Sequence, residues 1–234
     1  MQQLEHGLIL KTAREATPAE REGVALMYAH VFGETGQTDS PQIGVWARHF
    51  MSGQHPTMTL DDTWLVVDPA RDVPDEGGSV VSAINLIPQM WQYGGGPEIG
   101  VGRIEIVATH RDYRNRRLVR YQFDAAHRRS AELGHLMQVV TGIPHYYRRF
   151  GYTMALELGA SAAIPLYALP KTDPEHFTLR LASTDADYEQ VARWNAAWVQ
   201  GGSMGYARSA ALWRYENEVR TMDTPNTFRI YIIT

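Results

Sequence analysis

Residues 104 to 121 read Ile-Glu-Ile-Val-Ala-Thr-His-Arg-Asp-Tyr-Arg-Asn-Arg-Arg-Leu-Val-Arg-Tyr. The apolar run Ile104 to Ala108 has the character of a strand, and it breaks into a polar turn rich in arginine. From Leu118 onward, Val119, Phe123, Ala126, Ser130 and Leu133 recur at helical spacing, so the stretch reads strand, loop, helix. The first N–H groups of that helix point out of the loop, where the helix dipole adds roughly half a positive charge. Arg111, Arg114, Arg116 and Arg117 gather at the same corner, which suits a phosphate.

Tyr113-Arg-Asn-Arg-Arg-Leu-Val-Arg120, followed by Thr141-Gly-Ile-Pro-His-Tyr-Tyr-Arg-Arg-Phe-Gly-Tyr152, resembles the two central motifs of the GNAT superfamily of N-acetyltransferases. In that family the loop runs Arg or Gln, two residues, Gly, one residue, then Gly or Ala, and its amides hold the pyrophosphate of acetyl-coenzyme A. Arg114 matches, whereas Arg117 and Val119 stand where the family has small residues. A glycine in such a turn tolerates positive φ and lets backbone approach phosphate closely. Arg117 adds roughly 1 kcal/mol of strain if the turn is left-handed, and offers a guanidinium to a phosphate oxygen in exchange. The resemblance implies an α/β fold, a splayed mixed sheet flanked by helices, with acetyl-coenzyme A as cosubstrate. It makes Val107, Thr109, Arg114, Asn115, Arg116, Arg117, Leu118, Val119 and Arg120 the cofactor-binding segment, the pantetheine arm lying between strands at 104–109 and 135–141.

Acetyl transfer from a thioester to an amine needs a neutral amine, a polarised carbonyl and a proton for the departing thiolate. An alkyl amine of pKa about 10.4 is neutral in roughly one molecule per few thousand at pH 7, so a base must lower that cost. Backbone amides on the splayed strand can polarise the carbonyl. In the family motif a tyrosine sits four residues before the glycine of the Phe-Gly-Tyr element, which makes Tyr147 the proton donor, with Tyr146 as its neighbouring alternative. Glu105 shares strand parity with Val107 and Thr109 and is the candidate base; the alternative is an ion pair with Arg103. His110 and His145 are weaker candidates, and no zinc, P-loop or Rossmann pattern is present, so no metal is expected.

The chain has 234 residues and 26.4 kDa, with 44% hydrophobic and 21% charged residues, an ordinary globular composition. Zero cysteines exclude disulfides, a cysteine nucleophile and thiolate metal sites. A net charge of −4 argues against nucleic acid as a partner. No apolar run is long enough for a membrane span, and Met1-Gln-Gln-Leu-Glu-His lacks the features of a signal peptide, so a cytoplasmic location without a membrane partner is expected.

Ahead of the motifs, a strand is expected at 8–12 and a helix from Pro18 to Phe32, stopped by Gly33 and capped by Thr17. A polar loop to residue 42 carries Glu34 and Asp39, candidates for attracting a cationic acceptor, before a helix over 43–51. Strands follow at 62–68, 79–90 and 99–108, then the helix ending at Gly134 and a short helix between Pro144 and Gly151. Further strands are expected at 154–158 and 162–166. Residues 1–168 thus form a GNAT-like domain, and 169–174, Leu-Pro-Lys-Thr-Asp-Pro, a linker.

Residues 175–234 repeat the opening order of strand, helix, helix, strand, with Leu179, Trp213 and Ile230 in the places of Leu10, Trp46 and Leu65. They read as an incomplete second GNAT-like domain without a phosphate loop, resembling the tandem, enhanced-intracellular-survival type of acetyltransferase. Phe228 to Thr234 is then an apolar strand lacking its hairpin partner, which hints at a contact with the first domain or a homo-oligomer. The expected function is acetyl transfer to a primary amine of a small molecule or peptide. The alternative is a non-catalytic binding or oligomerisation module with a degenerate phosphate loop.

Overall fold

Strand pairing in the computed structural model, which describes residues 1–34, 40–156, 177–202, 204–220, 224 and 228–234, builds a seven-stranded mixed sheet and a separate two-stranded one. The order of the larger is β1 (Gln2–Gln3), β2 (Ile9–Thr12), β3 (Thr63–Val67), β4 (Val80–Tyr93), β5 (Glu98–Thr109) and β6 (Met137–Val140). Neighbours run antiparallel except β5 and β6, which are parallel. Alternation along β3 shows how the sheet is covered: Leu65 and Val67 face one core, Trp64 and Val66 the other.

The first core packs under α1 (Pro18–Glu34) and α2 (Ser40–Met51), where Val24, Met27, Tyr28, Ile43 and Phe50 meet Ala83, Ile87, Ile106 and Ala108. Thr17 and Glu20 form a reciprocal cap that starts α1, since the Glu20 amide donates to Thr17 Oγ1 at 3.2 Å and the Thr17 amide to Glu20 at 2.8 Å. The helix continues through Gly33, which is not left-handed, to Glu34, one residue past its expected stop. The second core lies under α3 (Leu118–Glu132), with Leu118, Phe123 and Ala126 against Leu10, Val81, Ile84, Leu86 and Ile104. Gly134 closes that helix region at φ +74°, as a left-handed C-terminal residue does. After β6 come α4 (Pro144–Tyr147) and a 3₁₀ turn over Arg148–Phe150, which Gly151 ends at φ +92°.

The C-terminal segment holds β7 (Leu179–Leu181), α5 (Asp185–Gln200), β8 (Met204–Tyr206), α6 (Ala210–Arg214) and β9 (Tyr231–Ile233). Two expectations are corrected here. The terminal strand is not without a partner, because β9 pairs antiparallel with β7. Between the two helices lies an extra strand: β8 joins the large sheet, pairing Trp91–Tyr93 of β4 beyond the end of β3. Residues 154–156 are not in a strand. The expected strand at 162–166, the linker 169–174 and Asp39 lie outside the described residues. Among the described residues no helix is long and apolar enough to cross a membrane.

Candidate active site

The parallel pairing of β5 with β6 runs from Val101–Met137 to Ile104–Val140 and stops there. Just beyond, β5 bulges: between the pairs Asn85–Glu105 and Ala83–Ala108 it holds one residue more than β4, and Ile106 sits at φ +45°. A β-branched residue is strained in that region. The two strands therefore part at residue 104, opening a gap beside the bulge.

The bulge also reverses the expected facing of the site residues. Glu105 was expected to share a face with Val107 and Thr109, but the extra residue shifts the alternation between them. Val107 packs with the core under α3, and Thr109 Oγ1 lies 2.8 Å from Ser82 Oγ, which in turn donates to Gln122 of α3 at 2.8 Å. Glu105 instead lies on the α1/α2 side with Arg103, whose guanidinium it pairs; its carboxylate is 14% exposed. Val107 and Thr109 are both half-buried, the first against the core under α3 and the second against Ser82 of β4.

Tyr147 lies at the end of α4 and packs on Phe123, Tyr146 and Tyr152. Burial pushes its phenol up to about 12, with Tyr146 and the charge of Glu105 adding to the effect. The phenol therefore stays protonated at neutral pH and feels the Glu105 carboxylate, so the two candidate catalytic residues share one electrostatic environment. Gly142 lies against the tyrosine ring: a Cβ there would be 2.4 Å from Tyr147 Cε2. Tyr146 is half-buried beneath Arg149, at 5.8 Å, and His145 is exposed.

The arginine loop is left-handed at two places, Asn115 at φ +65° and Arg117 at φ +61°. Asparagine tolerates this geometry and arginine does not, so the strain anticipated at Arg117 is present. Arg117 is the N-cap of α3 and makes no side-chain cap, which leaves the amides of Leu118 and Val119 without an intrahelical acceptor. The side chains divide the work. Arg116 folds back over the Tyr113 ring at 4.7 Å and donates to Asp112 O, and Arg114 donates weakly to Thr109 O at 3.5 Å. Arg117 is exposed, and Arg120 lies 5.4 Å over the Phe150 ring. Alternating left-handed residues, open amides and exposed guanidiniums are features that favour an anion.

The loop is held from behind. Tyr113 Oη donates to Asp68 at 2.6 Å, and His110, 3% exposed, reaches Glu76 at 3.1 Å while Arg71 donates to the same carboxylate at 2.6 Å. His30 stacks on His110 with centroids 5.4 Å apart, so His30, Glu76 and His110 bring three potential metal-ligating atoms within 4.8 Å of one another. Since Glu76 Oε2 already receives Arg71 and His110, the cluster works as a polar clasp on the root of the loop.

A cleft of about 1060 Å³ opens at the splayed strands, lined by Gln89, Trp91, Arg103, Met137–Ile143, Tyr147, Phe150–Leu156 and, from the C-terminal segment, Met204, Tyr206 and Arg208. Nothing in the sequence marked Arg208 or Tyr206, because their approach depends on β8 docking onto β4. Gly142 lies inside the second motif and was readable there.

A mixed sheet parted at a bulge, with an uncapped helix N-terminus after one strand and a protonated phenol lining the cleft, is an arrangement suited to acyl transfer. The family model described as acetyltransferase (GNAT) domain matches residues 12–155, and the chain belongs to that family and is an acyltransferase. Curated protein sequences give no match. The fold is similar to N-myristoyltransferase of Saccharomyces cerevisiae with bound myristoyl-CoA, at 14% identity and a TM-score of 0.61, over 99% of this chain and 61% of that one. It is similar also to a conserved protein of unknown function from Enterococcus faecalis V583, described as a probable N-acyltransferase, at 14% identity and 0.59, over 96% of this chain and 51% of that one. A GNAT family acetyltransferase from Brucella melitensis in complex with acetyl-CoA aligns at 14% identity and 0.47, over 68% of this chain and 95% of that one. The chain thus spans about three-fifths and one-half of the two longer proteins.

Proposed function

We propose that the chain transfers the acetyl group of acetyl-coenzyme A directly to a primary amine of a small molecule or peptide. The observation that carries this reading is the parting of β5 from β6 at Ile104, beside the bulge at Ile106, with Tyr147 lining the cleft there. The pyrophosphate would bind the 114–120 segment: the amides of Leu118 and Val119 at the helix terminus, with Asn115 shaping the turn and Arg114, Arg116, Arg117 and Arg120 around it. Val107 and Thr109 would meet the pantetheine arm through backbone. In this reading Glu105 takes the proton from the acceptor ammonium, and the neutral amine adds to the thioester carbonyl. Tyr147 then hydrogen-bonds the departing sulfur and passes it a proton. With its phenol near 12 and a thiol near 8.5, that transfer runs against the ordinary order of acidities, so it must be concerted with loss of a proton from the acylated amine. No covalent enzyme intermediate is required.

Residues 1–168 would be the catalytic unit and 175–234 the opening of a second GNAT-like domain, in the manner of the enhanced-intracellular-survival type. Support comes from the two longer proteins, whose likeness extends over 99% and 96% of this chain and so includes the C-terminal segment. Calorimetric titration with acetyl-coenzyme A beside coenzyme A tests the reading. Micromolar binding followed by acetylation of at least one amine is expected; no binding at millimolar cofactor overturns it.

A further inference from the structure

Five buried side-chain atoms among the described residues have no hydrogen-bond partner, and all lie in one stretch: Arg208 Nε, Trp213 Nε1, Arg214 Nε, Tyr215 Oη and Glu216 Oε2. About nine in ten buried polar groups are satisfied in native proteins, and here the charged members are held by ion pairs rather than well-directed hydrogen bonds, Arg208 with Glu216 at 3.2 Å and Arg214 with Asp185 and Glu218, so the stretch is a dense charged cluster beside the cleft. α6 passes into a π-helical turn over Tyr215–Val219, a geometry frequent at functional sites. That turn sets Glu216 Oε2 3.2 Å from Arg208 Nε without a properly directed hydrogen bond.

Arg208 is held rather than mobile. Its amide donates to Asn195 at 2.8 Å, the preceding Ala207 amide to Met90 O at 3.0 Å, and its guanidinium lies over the rings of Tyr206 at 4.6 Å and Trp213 at 4.9 Å. Its faces are thus occupied by aromatic rings and its Nε by Glu216, and the Nη end of the guanidinium, in a side chain 29% exposed, is what an incoming group can meet. Arg208 and Tyr206 line the cleft together with Arg103. Burial pushes the Glu216 carboxyl above its usual range, against the pull of Arg208, Arg220 and Arg103. Elsewhere in the cleft stands Tyr147, which feels Glu105, and the wall also carries Trp91, Met137, Val139 and Met204. The cleft therefore presents a phenol, beside Arg103 with its Glu105 partner, an apolar wall and a fixed guanidinium.

We propose that Arg208 selects acceptors whose primary amine shares an apolar skeleton with a carboxylate, the amine lying at Tyr147 and Glu105 and the carboxylate on the Arg208 edge. A planar guanidinium pinned on aromatic faces matches a carboxylate in two parallel hydrogen bonds. This inference rests on the amine acetyl-transfer reading and names its substrate class.

The test compares matched amines with the full chain and saturating acetyl-coenzyme A: phenylalanine against phenethylamine, and 6-aminohexanoate against hexylamine. Each carboxylated member is expected to show kcat/KM about ten- to a hundredfold above its partner, the worth of hydrogen bonds to a charged group. Arg208→Gln should bring that ratio toward one, and Arg208→Lys should retain part of it, while calorimetry shows coenzyme A bound as in the wild type. Acetylation of both members at equal kcat/KM by the wild-type chain overturns the proposal and leaves acetyl transfer standing. So does a ratio unchanged in Arg208→Gln. If neither pair is turned over, calorimetric binding to the coenzyme A-loaded chain decides. Uptake of the carboxylated members, lost in Arg208→Gln, supports the subsite even where the transfer reading fails, and no uptake overturns it.

Discussion

Replacing Arg117 with glycine separates what its backbone does from what its side chain does. Arg117 sits at φ +61° and ψ 12° at the N-cap of α3, exposed and without a side-chain cap, so the substitution removes no packing. A left-handed non-glycine residue costs about 1–2 kcal/mol, from which the larger chain entropy of glycine takes back about 0.5–1 kcal/mol. Glycine is also an acceptable N-cap. The net gain is about 0.5–1 kcal/mol, or roughly 1–4 °C in melting temperature for a chain of this size. Arg117→Ala is the control: it removes the guanidinium and keeps the strain, so its melting temperature should not rise. Scanning calorimetry measures stability, and titration with acetyl-coenzyme A measures the site. If the guanidinium contacts phosphate, both variants bind about ten- to a hundredfold more weakly; if the backbone alone does, Arg117→Gly binds as tightly as the wild type or tighter. A melting temperature for Arg117→Gly at or below the wild-type value would refute the reasoning about stored strain.

Tyr147→Phe keeps the ring packed on Phe123 and removes only the hydroxyl, so kcat should fall about a hundredfold or more with coenzyme A affinity intact; unchanged turnover removes it from the acid role. Gly142→Ala puts a Cβ 2.4 Å from Tyr147 Cε2, and displacement of the ring should lower kcat about ten- to a hundredfold; normal kcat would mean that the ring's position is not critical. His55 accepts from the Thr57 and Met58 amides, and burial, with Arg220 adding, lowers it from 6.5 to about 4. The neutral form is the folded one, so its contribution is present above pH 6.5 and is lost as pH falls toward 4, up to about 3 kcal/mol before screening is allowed for. Urea unfolding between pH 4 and 7 should show a slope in the wild type that is shallower in His55→Asn, and parallel curves would contradict this.

The arginine loop and its helix were legible because they depend on local rules. Helical spacing from Leu118 and the breaker at Gly134 act within a few residues of chain, and α3 ends where they say. The left-handed turn at Arg117 was legible only as a condition, since no local rule forces an arginine into positive φ. Strand parity failed at Glu105 for a different reason. An extra residue in β5 is invisible to a period-two pattern, because Ile106 and Val107 are both apolar and fit either core. Arg208 could not be found at all from spacing, since it reaches the cleft only through the pairing of β8 with Trp91–Tyr93, a contact separated by more than a hundred residues of chain.

One inserted residue thus accounts for several features of the site at once. Without the bulge, Glu105 would face α3 beside Val107 and Thr109, and its carboxylate would enter the core that holds Phe123 and Leu118 at a heavy desolvation cost. With it, Glu105 moves to the α1/α2 side, where Arg103 is its partner, while Val107 keeps its place under α3. Each side chain then lies where its chemistry is tolerated, and the backbone between them is turned out of the ladder just where β6 leaves. In the acetyl-transfer reading, Glu105 would offer its carboxylate to the amine and Val107 its backbone to the thioester from opposite faces of one strand, which a regular strand, with both residues on one face, could supply only by burying the charge.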